Sequence, residues 1–249
     1  MKHLWCEDGY RAIAQMKSKR TLYAFDFDGT LAPIAANPQD VHLTLESSEL
    51  LRLLSGRFPV AIISGRSVID LRTKMSNEAV YFVGNHGAEG LPSSKNESHP
   101  YATCVAWLNK IEACSKDWPP EHRIFVEDKG LSLSLHFRAA EDPMEAERFL
   151  LEWTSHLSPM PRTIGGKCVL NLIPGESAHK GDALLALILH FNCEQALFVG
   201  DDVTDESVFE LPDIRILGVR VGHSESSRAP FYLRDQNEVS RLMAMLLSD

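Results

Sequence analysis

The sequence lacks any hydrophobic run long enough to cross a membrane. Its longest strongly apolar stretch, residues 183–189, is far shorter than the ~20 residues that a membrane span needs. The first ten residues contain one lysine and no apolar run of signal-peptide length, so no secretory leader is expected. Cysteine is sparse: there are 5, an odd number, with no Cys-x-x-Cys pair. This pattern favours free thiols in a reducing, cytoplasmic compartment and argues against a sulfur-bound metal.

Positive charge is also in deficit. Lys and Arg total 25 against 34 Asp and Glu, which gives a formal net charge of −9. Nucleic acids and anionic membranes require a basic surface, so neither is expected as a partner. A small anionic ligand remains compatible with this charge, because a local site can be basic in an acidic protein. The oligomeric state cannot be read from the sequence, and a monomer is the favoured assumption.

Four short apolar runs each end in a polar cluster. Continuous apolar runs of this length are typical of strands buried on both faces of a parallel sheet. Helical patterns at 46–54, 67–75 and 180–191 lie between them, which predicts an α/β fold with a Rossmann-like, doubly wound parallel sheet. Ligands of such sheets bind outside the carboxyl ends of the strands. The runs are 21–25, 59–63, 79–83 and 196–199, and the clusters begin at Asp26, Ser64, Gly84 and Gly200.

Residues 91–174 have a different pattern and predict an inserted α+β domain, with residues 1–90 and 175–249 forming the core. We expect a polar loop over 91–100, then helix, hairpin, helix and hairpin. The helices are predicted at 102–118 and 143–156, and the hairpins at 123–138, turning at 128–130, and at 162–173, turning at Gly165-Gly166. Alternation places Leu131, Leu133, Leu135 and Phe137 on one sheet face, and Ser132, Ser134, His136 and Arg138 on an open face that is free to cover a site.

Asp26 and Asp28 stand just past the first predicted strand, in the order Asp-Phe-Asp-Gly-Thr. A carboxylate in that position can attack phosphorus and become an aspartyl phosphate. A second carboxylate two residues later can protonate the leaving oxygen and then activate water. An acidic strand-to-turn junction without any function is the alternative interpretation of this motif.

Three further clusters occupy the ends of predicted strands or the start of a helix. Ser64-Gly65-Arg66 can hold a phosphoryl oxygen, although Ser-Gly turns are common. Lys180 opens an apolar helix, where a cation opposes the helix dipole unless it faces an anion. In the acidic run after Gly200, Asp202 and Asp205 fit ordinary helix caps. Several carboxylates there, facing those of the first motif, suit Mg²⁺, which prefers oxygen ligands.

In this order, the four clusters resemble the motifs of the haloacid dehalogenase superfamily. The resemblance implies that Asp26 is the nucleophile, that Asp28 is the acid and base, and that Ser64 and Lys180 bind the phosphoryl group. It also implies that Asp26, the backbone carbonyl of Asp28, and Asp201 ligate Mg²⁺, with Asp202 in support. An insert between the second and third motifs resembles the superfamily's C2 cap.

Finer features are similar to the trehalose-6-phosphate phosphatase family: the run from Asn85 to Glu89, the run from Glu127 to Gly130 with Arg138, and Gly166-Lys167. The resemblance implies sugar contacts from the insert and places further substrate-binding residues in the core. The implied residues are Glu127, Lys129, Arg138 and Lys167 in the insert, and Gly65, Arg66, Asn85 and His86 in the core. One departure is Asn171, where the family usually carries Glu; an amide and a carboxylate bond differently to sugar hydroxyls.

The first hypothesis is therefore a Mg²⁺-dependent phosphatase acting on trehalose 6-phosphate. A phosphatase of another glycosyl phosphate, such as glucosylglycerol phosphate or mannosylphosphoglycerate, stays open because of Asn171. A phosphomutase would return the phosphoryl group to a sugar hydroxyl, and a non-catalytic phosphosugar sensor would have no need of all four motifs. We expect a small-molecule sugar phosphate as the ligand in each case.

Overall fold

The computed structural model describes residues 1–35, 40–75, 79–92 and 98–248. The chain divides into two compact units. We call Met1–Ser93 with Ala178–Asp249 the core unit, and Ser94–Ser177 the insert unit.

The strands are short, as the apolar runs predict. They are β1 (Lys2–His3), β2 (Thr21–Phe25), β3 (Val60–Ile63), β4 (Val80–Val83), β5 (Phe125–Asp128), β6 (Leu133–His136), β7 (Arg162–Gly166), β8 (Val169–Ile173), β9 (Gln195–Gly200), β10 (Ile216–Val221) and β11 (Phe231–Leu233).

The α-helices lie between strands at several points, whereas the described residues hold no α-helix between β5 and β6, β7 and β8, or β10 and β11. They are α1 (Glu7–Lys17), α2 (Leu45–Ser55), α3 (Val68–Lys74), α4 (Ser98–Cys114), α5 (Pro143–Thr154), α6 (Lys180–His190), α7 (Glu206–Phe209) and α8 (Gln236–Leu247).

Within its described residues, the core unit contains a seven-stranded sheet in the order β1-β11-β10-β9-β2-β3-β4, and every pairing in it is parallel. The interior strand β2 is buried along its whole length because both of its faces are covered. Tyr23 and Phe25 pack into a cluster with residues of α1, α2 and α8, while Leu22 and Ala24 pack with residues of α6 on the other face. The predicted doubly wound α/β fold is confirmed.

The described residues of the insert unit form a four-stranded antiparallel sheet in the order β5-β6-β8-β7. One face of this sheet packs on α4 and α5, where Leu135 and Leu170 meet Trp107, Ile111 and Leu150. Strand alternation sends the intervening side chains to the opposite face, as expected for a sheet with one covered face.

Several expectations for the insert unit need correction. The hairpin of β7 and β8 turns at Lys167-Cys168, because the glycines predicted as its turn stay in β7 and Gly166 pairs with Val169. Cys168 takes the positive φ of 60° that the turn requires. The observed register is the one that places Leu170 and Leu172 in the apolar cluster, and their burial therefore fixes the position of the turn.

The second correction concerns the ends of the first helix in the insert. The helix begins at Ser98, within the region predicted as loop, and ends at Cys114, followed by a 3-10 turn over Ser115–Asp117. Residues 93–97 of the predicted loop lie outside the described residues.

Ser132 and Ser134 are buried, although both were expected on an open face. Ser134 tolerates burial because its hydroxyl donates a 2.6 Å hydrogen bond to Oδ1 of Asn171 on the neighbouring strand. The Leu131, Leu133, Leu135 and Phe137 side chains are buried as predicted.

Among the described residues, the longest and most apolar helices still fall short of what a membrane crossing requires.

The apolar cluster of the insert unit yields a stability prediction. Leu135 belongs to β6 and is fully buried. Leu135→Ala should therefore lower the free energy of unfolding by about 2–5 kcal/mol, through lost apolar burial and the cavity left behind. Leu151→Ala, at a half-exposed position on α5, is the matched control and should cost much less. Urea unfolding followed by circular dichroism measures both, and similar losses in the two variants would contradict the packing described here.

Candidate active site

Polar side chains from four strand ends gather at one edge of the core sheet. Asp26 directly follows β2, Ser64 follows β3, Gly84 follows β4, and Asp201 follows β9. These strands are consecutive neighbours in a parallel sheet, so their carboxyl ends lie side by side. The edge is the place at which open α/β sheets bind ligands.

Lys180 is the centre of this edge. Its ammonium group lies 2.9 Å from Oδ2 of Asp26 and 2.8 Å from Oδ1 of Asp205. The three side chains are at most 7% exposed. Burial acts to lower the pKa of Lys180, but the adjacent Asp205 and Asp26 charges outweigh it and leave that pKa above its ordinary value. The lysine is therefore a permanent cation against the predicted nucleophile.

Helix α6 positions this lysine from its first turn. His179 is the N-cap: its ring nitrogen Nδ1 accepts from the Asp182 amide at 3.1 Å, and Asp182 returns a bond to the His179 amide. Such reciprocal capping fixes the helix start. The residue that follows the cap, Lys180, is thus held in place by local backbone bonds.

Asp26 is held on both carboxylate oxygens. Oδ1 accepts a 2.6 Å hydrogen bond from the amide of Phe27, and Oδ2 faces Lys180. Burial raises the pKa of Asp26 well above its usual value, and the Asp205 and Asp201 charges add to the rise while Lys180 opposes it. The carboxylates of the site therefore place more negative charge in this buried region than Lys180 balances.

Asp201 adds to this excess. Burial raises the pKa of Asp201 to about 7, with Asp205 contributing, although the Thr30 hydroxyl donates a 3.0 Å bond to it. Gly29, at φ 80°, brings the first motif against Asp201 so closely that a β-carbon would collide with the carboxylate. Only glycine fits there.

Oxygens of Asp26, Asp201 and Asp205 all lie within 4.8 Å of one another. Asp26 and Asp205 are buried, Asp201 is partly buried, and burial together with the neighbouring charges raises the pKa values of Asp26 and Asp201. An all-oxygen donor set of this kind suits a hard cation such as Mg²⁺. The residues therefore fit the implied metal. Two members of the predicted set, Asp26 and Asp201, lie in this cluster together with Asp205, and the predicted ligand from Asp28, its backbone carbonyl, stays a prediction.

Asp205 is the residue that the sequence interpretation missed. Its spacing from Asp202 fits a helix cap, and the side chain does serve as one, because the Asp202 amide donates to Oδ2 of Asp205 at 2.9 Å. The other oxygen, Oδ1, accepts from the ammonium group of Lys180, so Asp205 belongs to the site as well. Asp202 itself is exposed and caps the turn by accepting from the amide of Val203. The signal that could have found Asp205 is the need of a buried Lys180 for a second anion.

Asp28 pairs with Arg66. The guanidinium donates to both carboxylate oxygens at 2.6 and 2.7 Å, and its third nitrogen donates to Asp70 at 2.6 Å. Burial acts to lower the pKa of Arg66, but the two carboxylates outweigh it and raise that pKa. A fork of this kind holds a carboxylate firmly in one orientation.

Ser64, Gly65, Asn85 and His86 form the remaining wall of the core site. Ser64 is buried, and its hydroxyl accepts a 3.3 Å bond from the Arg66 amide. Gly65 packs so closely on the His86 ring that a β-carbon would collide with it. Asn85 donates to Glu89 at 2.8 Å, which fixes the turn after β4. The core candidates thus share one edge of one sheet.

The predicted sugar-binding residues lie on the insert unit, in two groups. Oε2 of Glu127 lies 2.8 Å from Nε2 of His136, from which it accepts a hydrogen bond when that ring nitrogen carries the proton, and 3.8 Å from Nζ of Lys129. Arg138 donates to the backbone carbonyl of the exposed Lys167 at 3.4 Å.

Asn171 lies on the same sheet. Besides accepting from Ser134, it donates to the carbonyl of Ile164 at 3.2 Å, so its amide is used within the sheet. The sugar-binding roles of these insert residues stay predictions.

Comparison with known proteins identifies relatives over nearly the whole chain. Residues 24–236 match the family model described as trehalose-phosphatase. Trehalose-phosphate phosphatase B of Arabidopsis thaliana is 27% identical over 259 residues, covering 93% of this chain and 67% of that protein. An uncharacterized glycosyl hydrolase of Mycobacterium tuberculosis is 27% identical over 262 residues, covering 97% of this chain and 20% of that protein, so the chain spans a fifth of that relative's length.

Among solved structures, the C-terminal domain of a Candida albicans trehalose-6-phosphate phosphatase matches with a TM-score of 0.78 and 21% identity, covering 96% of each chain. At this identity the match supports the fold alone.

The raised pKa of Asp201 predicts how the metal-free protein responds to pH. The fold favours protonated Asp201, so this contribution to stability is present at acidic pH and is lost as pH rises through about 7. In chelator, Asp201→Asn should raise the melting temperature at pH 8 by about 2–4 °C per kcal/mol of repulsion removed, and by less at pH 5. Added Mg²⁺ should stabilise the wild type much more than the variant.

Asp213→Asn is the control, because Arg215 lowers the pKa of that acid through its hydrogen bond. Differential scanning calorimetry at both pH values measures all three proteins. An Asp201→Asn variant that melts below the wild type at pH 8 without metal would contradict the repulsive cluster.

Proposed function

The chain belongs to the trehalose-phosphatase family, and we propose that it hydrolyses trehalose 6-phosphate to trehalose and phosphate with the help of Mg²⁺. Family membership places it among the phosphatases. The observation that carries the proposal is the buried Lys180, held between Asp26 and Asp205 at the ligand-binding edge of the core sheet.

Asp26 is the proposed nucleophile. One of its oxygens attacks phosphorus, the bond from phosphorus to the sugar oxygen breaks, and an aspartyl phosphate forms. Lys180 and the Phe27 amide support this role, because they hold the carboxylate in one position and offset its charge. Covalent capture divides an extremely slow hydrolysis into two easier steps.

Asp28 is the proposed acid and base. It gives its proton to the departing sugar oxygen, then takes a proton from the water that attacks the aspartyl phosphate, which releases phosphate and restores Asp26. Both of its carboxylate oxygens are bound by Arg66, so Asp28 must leave Arg66 to reach the departing sugar oxygen. An incoming phosphoryl group supplies Arg66 with a replacement anion, which couples substrate arrival to release of the acid.

Asp26 and Asp201 are the proposed direct ligands of Mg²⁺, with the backbone carbonyl of Asp28 as the resemblance implies. Asp205 contributes negative charge without ligating the ion directly, since its two oxygens already bind Lys180 and the Asp202 amide. When bound, the ion neutralises charge on the phosphoryl oxygens. Ser64 is proposed to bind the same group from the end of β3.

The insert unit is proposed to supply sugar contacts through Glu127, Lys129, Arg138 and Lys167. Asn171 keeps a related substrate in consideration, because its amide replaces the expected Glu and is bonded to Ser134 and Ile164. A different glycosyl phosphate is therefore the second candidate. The five cysteines are free thiols, which supports the proposal of a reducing, cytoplasmic setting.

Phosphate release from a panel of sugar phosphates tests the proposal. We expect turnover of trehalose 6-phosphate in Mg²⁺, loss in chelator, and slower turnover of glucosylglycerol phosphate and mannosylphosphoglycerate. Phosphorus NMR separates free phosphate from an isomerised sugar phosphate, which a mutase would produce. Faster turnover of another glycosyl phosphate would replace the substrate, and no release from any compound would favour the sensor.

Asp26→Asn should retain the fold and remove the nucleophile. Turnover should fall by about 10⁴-fold or more, the scale seen when a covalent catalyst loses its nucleophile. Rapid quenching followed by mass spectrometry should find a phosphorylated Asp26 peptide in the wild type and none in Asp26→Asn. Asp28→Asn is the matched control, because it keeps the nucleophile and should still be phosphorylated by an activated phosphate ester. Turnover of Asp26→Asn above a few per cent of wild type would rule out the covalent route.

A further inference from the structure

Phe125 is a large aromatic side chain in an unusual position. It opens β5, an edge strand of the insert unit's sheet, and is 65% exposed. Val126, the next residue, packs with the apolar cluster on the helix-covered face. Because alternate residues of a strand point to opposite faces, Phe125 belongs to the polar face and cannot join that cluster without a register slip.

Strand pairing arranges this polar face in two rows. Residues directly opposite each other in an antiparallel pair share a face, so the rows follow from the register. The first row is Phe125, His136, Val169 and Gly166; the second is Glu127, Ser134, Asn171 and Ile164.

The first row carries two apolar side chains, Phe125 and Val169, and the second row is polar except for Ile164. The Phe125 and His136 rings lie 5.9 Å apart with planes inclined by 34°, and His136 also bonds Glu127 at 2.8 Å. Residues two apart on a strand are separated by about 6.8 Å, so Phe125 and Glu127 are about one pyranose ring apart. An exposed ring thus lies beside a carboxylate whose orientation is fixed.

Charged groups continue from both rows. Lys129 lies 3.8 Å from Glu127, in the turn after β5. Arg138 follows β6 two residues beyond His136, and it contacts the backbone of Lys167, next to Gly166. Hydrogen-bonding groups therefore border an exposed aromatic surface on two sides.

This arrangement matches the surface of a sugar. A pyranose has hydroxyls around its rim and apolar C–H groups on its ring faces. Burying such a face on an aromatic ring gains hydrophobic and dispersion energy, while the rim hydroxyls meet the neighbouring polar groups.

We propose that Phe125 is a specificity-determining residue that stacks on the C–H face of a sugar ring of the substrate, next to Glu127 as oriented by His136. The inference rests on the proposed function and adds to it an apolar contact with the glycosyl group.

Steady-state kinetics of Phe125→Ala and Phe125→Trp test this contact. The two substrates are trehalose 6-phosphate and acetyl phosphate, which has no ring to stack. Phe125→Ala should lower kcat/KM for trehalose 6-phosphate about tenfold and leave acetyl phosphate within about twofold. Phe125→Trp should stay within about threefold of wild type on both, because a larger flat ring restores the surface.

Tyr101→Ala is the matched control, since Tyr101 is a half-exposed aromatic on α4 in the same unit. It should change neither substrate. Free trehalose, used as a competitive inhibitor, measures sugar binding without the chemical step, and its inhibition constant should rise about tenfold in Phe125→Ala alone.

Each contrary result has a distinct meaning. Unchanged trehalose 6-phosphate kinetics in Phe125→Ala, or an equal loss on both substrates, would overturn the stacking role and leave the proposed function intact. Wild-type self-association that Phe125→Ala abolishes, with unchanged kinetics, would assign the ring to contact with a second copy and overturn the proposal. A wild type that hydrolyses acetyl phosphate but no trehalose 6-phosphate would overturn the proposed function, and the named sugar with it.

Discussion

The ion triad of Asp26, Lys180 and Asp205 is the constraint on which the core site depends. Removing Lys180 would leave two buried carboxylates without a counter-charge and cost about 3–5 kcal/mol, so the three side chains must be arranged together. The triad joins the end of β2, the start of α6 and the turn after β9. Three chain segments that are distant in sequence are thereby fixed relative to one another by a single ammonium group.

The same triad leaves the site with more negative than positive charge. One lysine does not balance the carboxylates of Asp26, Asp201 and Asp205, and burial together with this excess raises the pKa values of Asp26 and Asp201. Elsewhere in the site, the single guanidinium of Arg66 pairs with two carboxylates, those of Asp28 and Asp70. Carboxylates therefore outnumber the cations in both places, and a divalent cation supplies positive charge that the protein itself lacks there.

Much of this architecture follows from local patterns in the sequence. The strand Thr21–Phe25 could be predicted because a strand buried on both faces must be almost wholly apolar. The strand Ile216–Val221 was not predicted, and in it Arg220 interrupts the apolar run to reach Glu206. The hairpin turn at Lys167-Cys168 was missed because a Gly-Gly pair is the stronger local turn signal, whereas the burial of Leu170 and Leu172 sets the register.

The candidate site divides in the same way. Asp26, Asp28 and Lys180 could be predicted because each stands where an apolar element begins or ends. Asp205 could not be told from a helix cap, since its partner Lys180 is 25 positions away and only the fold brings them together. The pairing of Asp28 with Arg66 spans 38 positions and is equally invisible to local patterns.

The interrupted core has a consequence for the order in which the protein is made. Thr21 and Gln195, neighbours in the central strands β2 and β9, are 174 positions apart, and the insert unit is synthesised between them. Strands β2, β3 and β4 leave the ribosome long before β9 and β10 can complete the sheet and α6 can cover it. Their apolar faces therefore stay exposed in an unfinished sheet. The insert unit has all four of its strands within one continuous segment and can complete its pairing first. The core sheet can be completed only after the insert unit has been synthesised, so the entropic cost of closing this long loop falls late in folding. The half-made sheet is the stage at which the nascent chain depends most on chaperones.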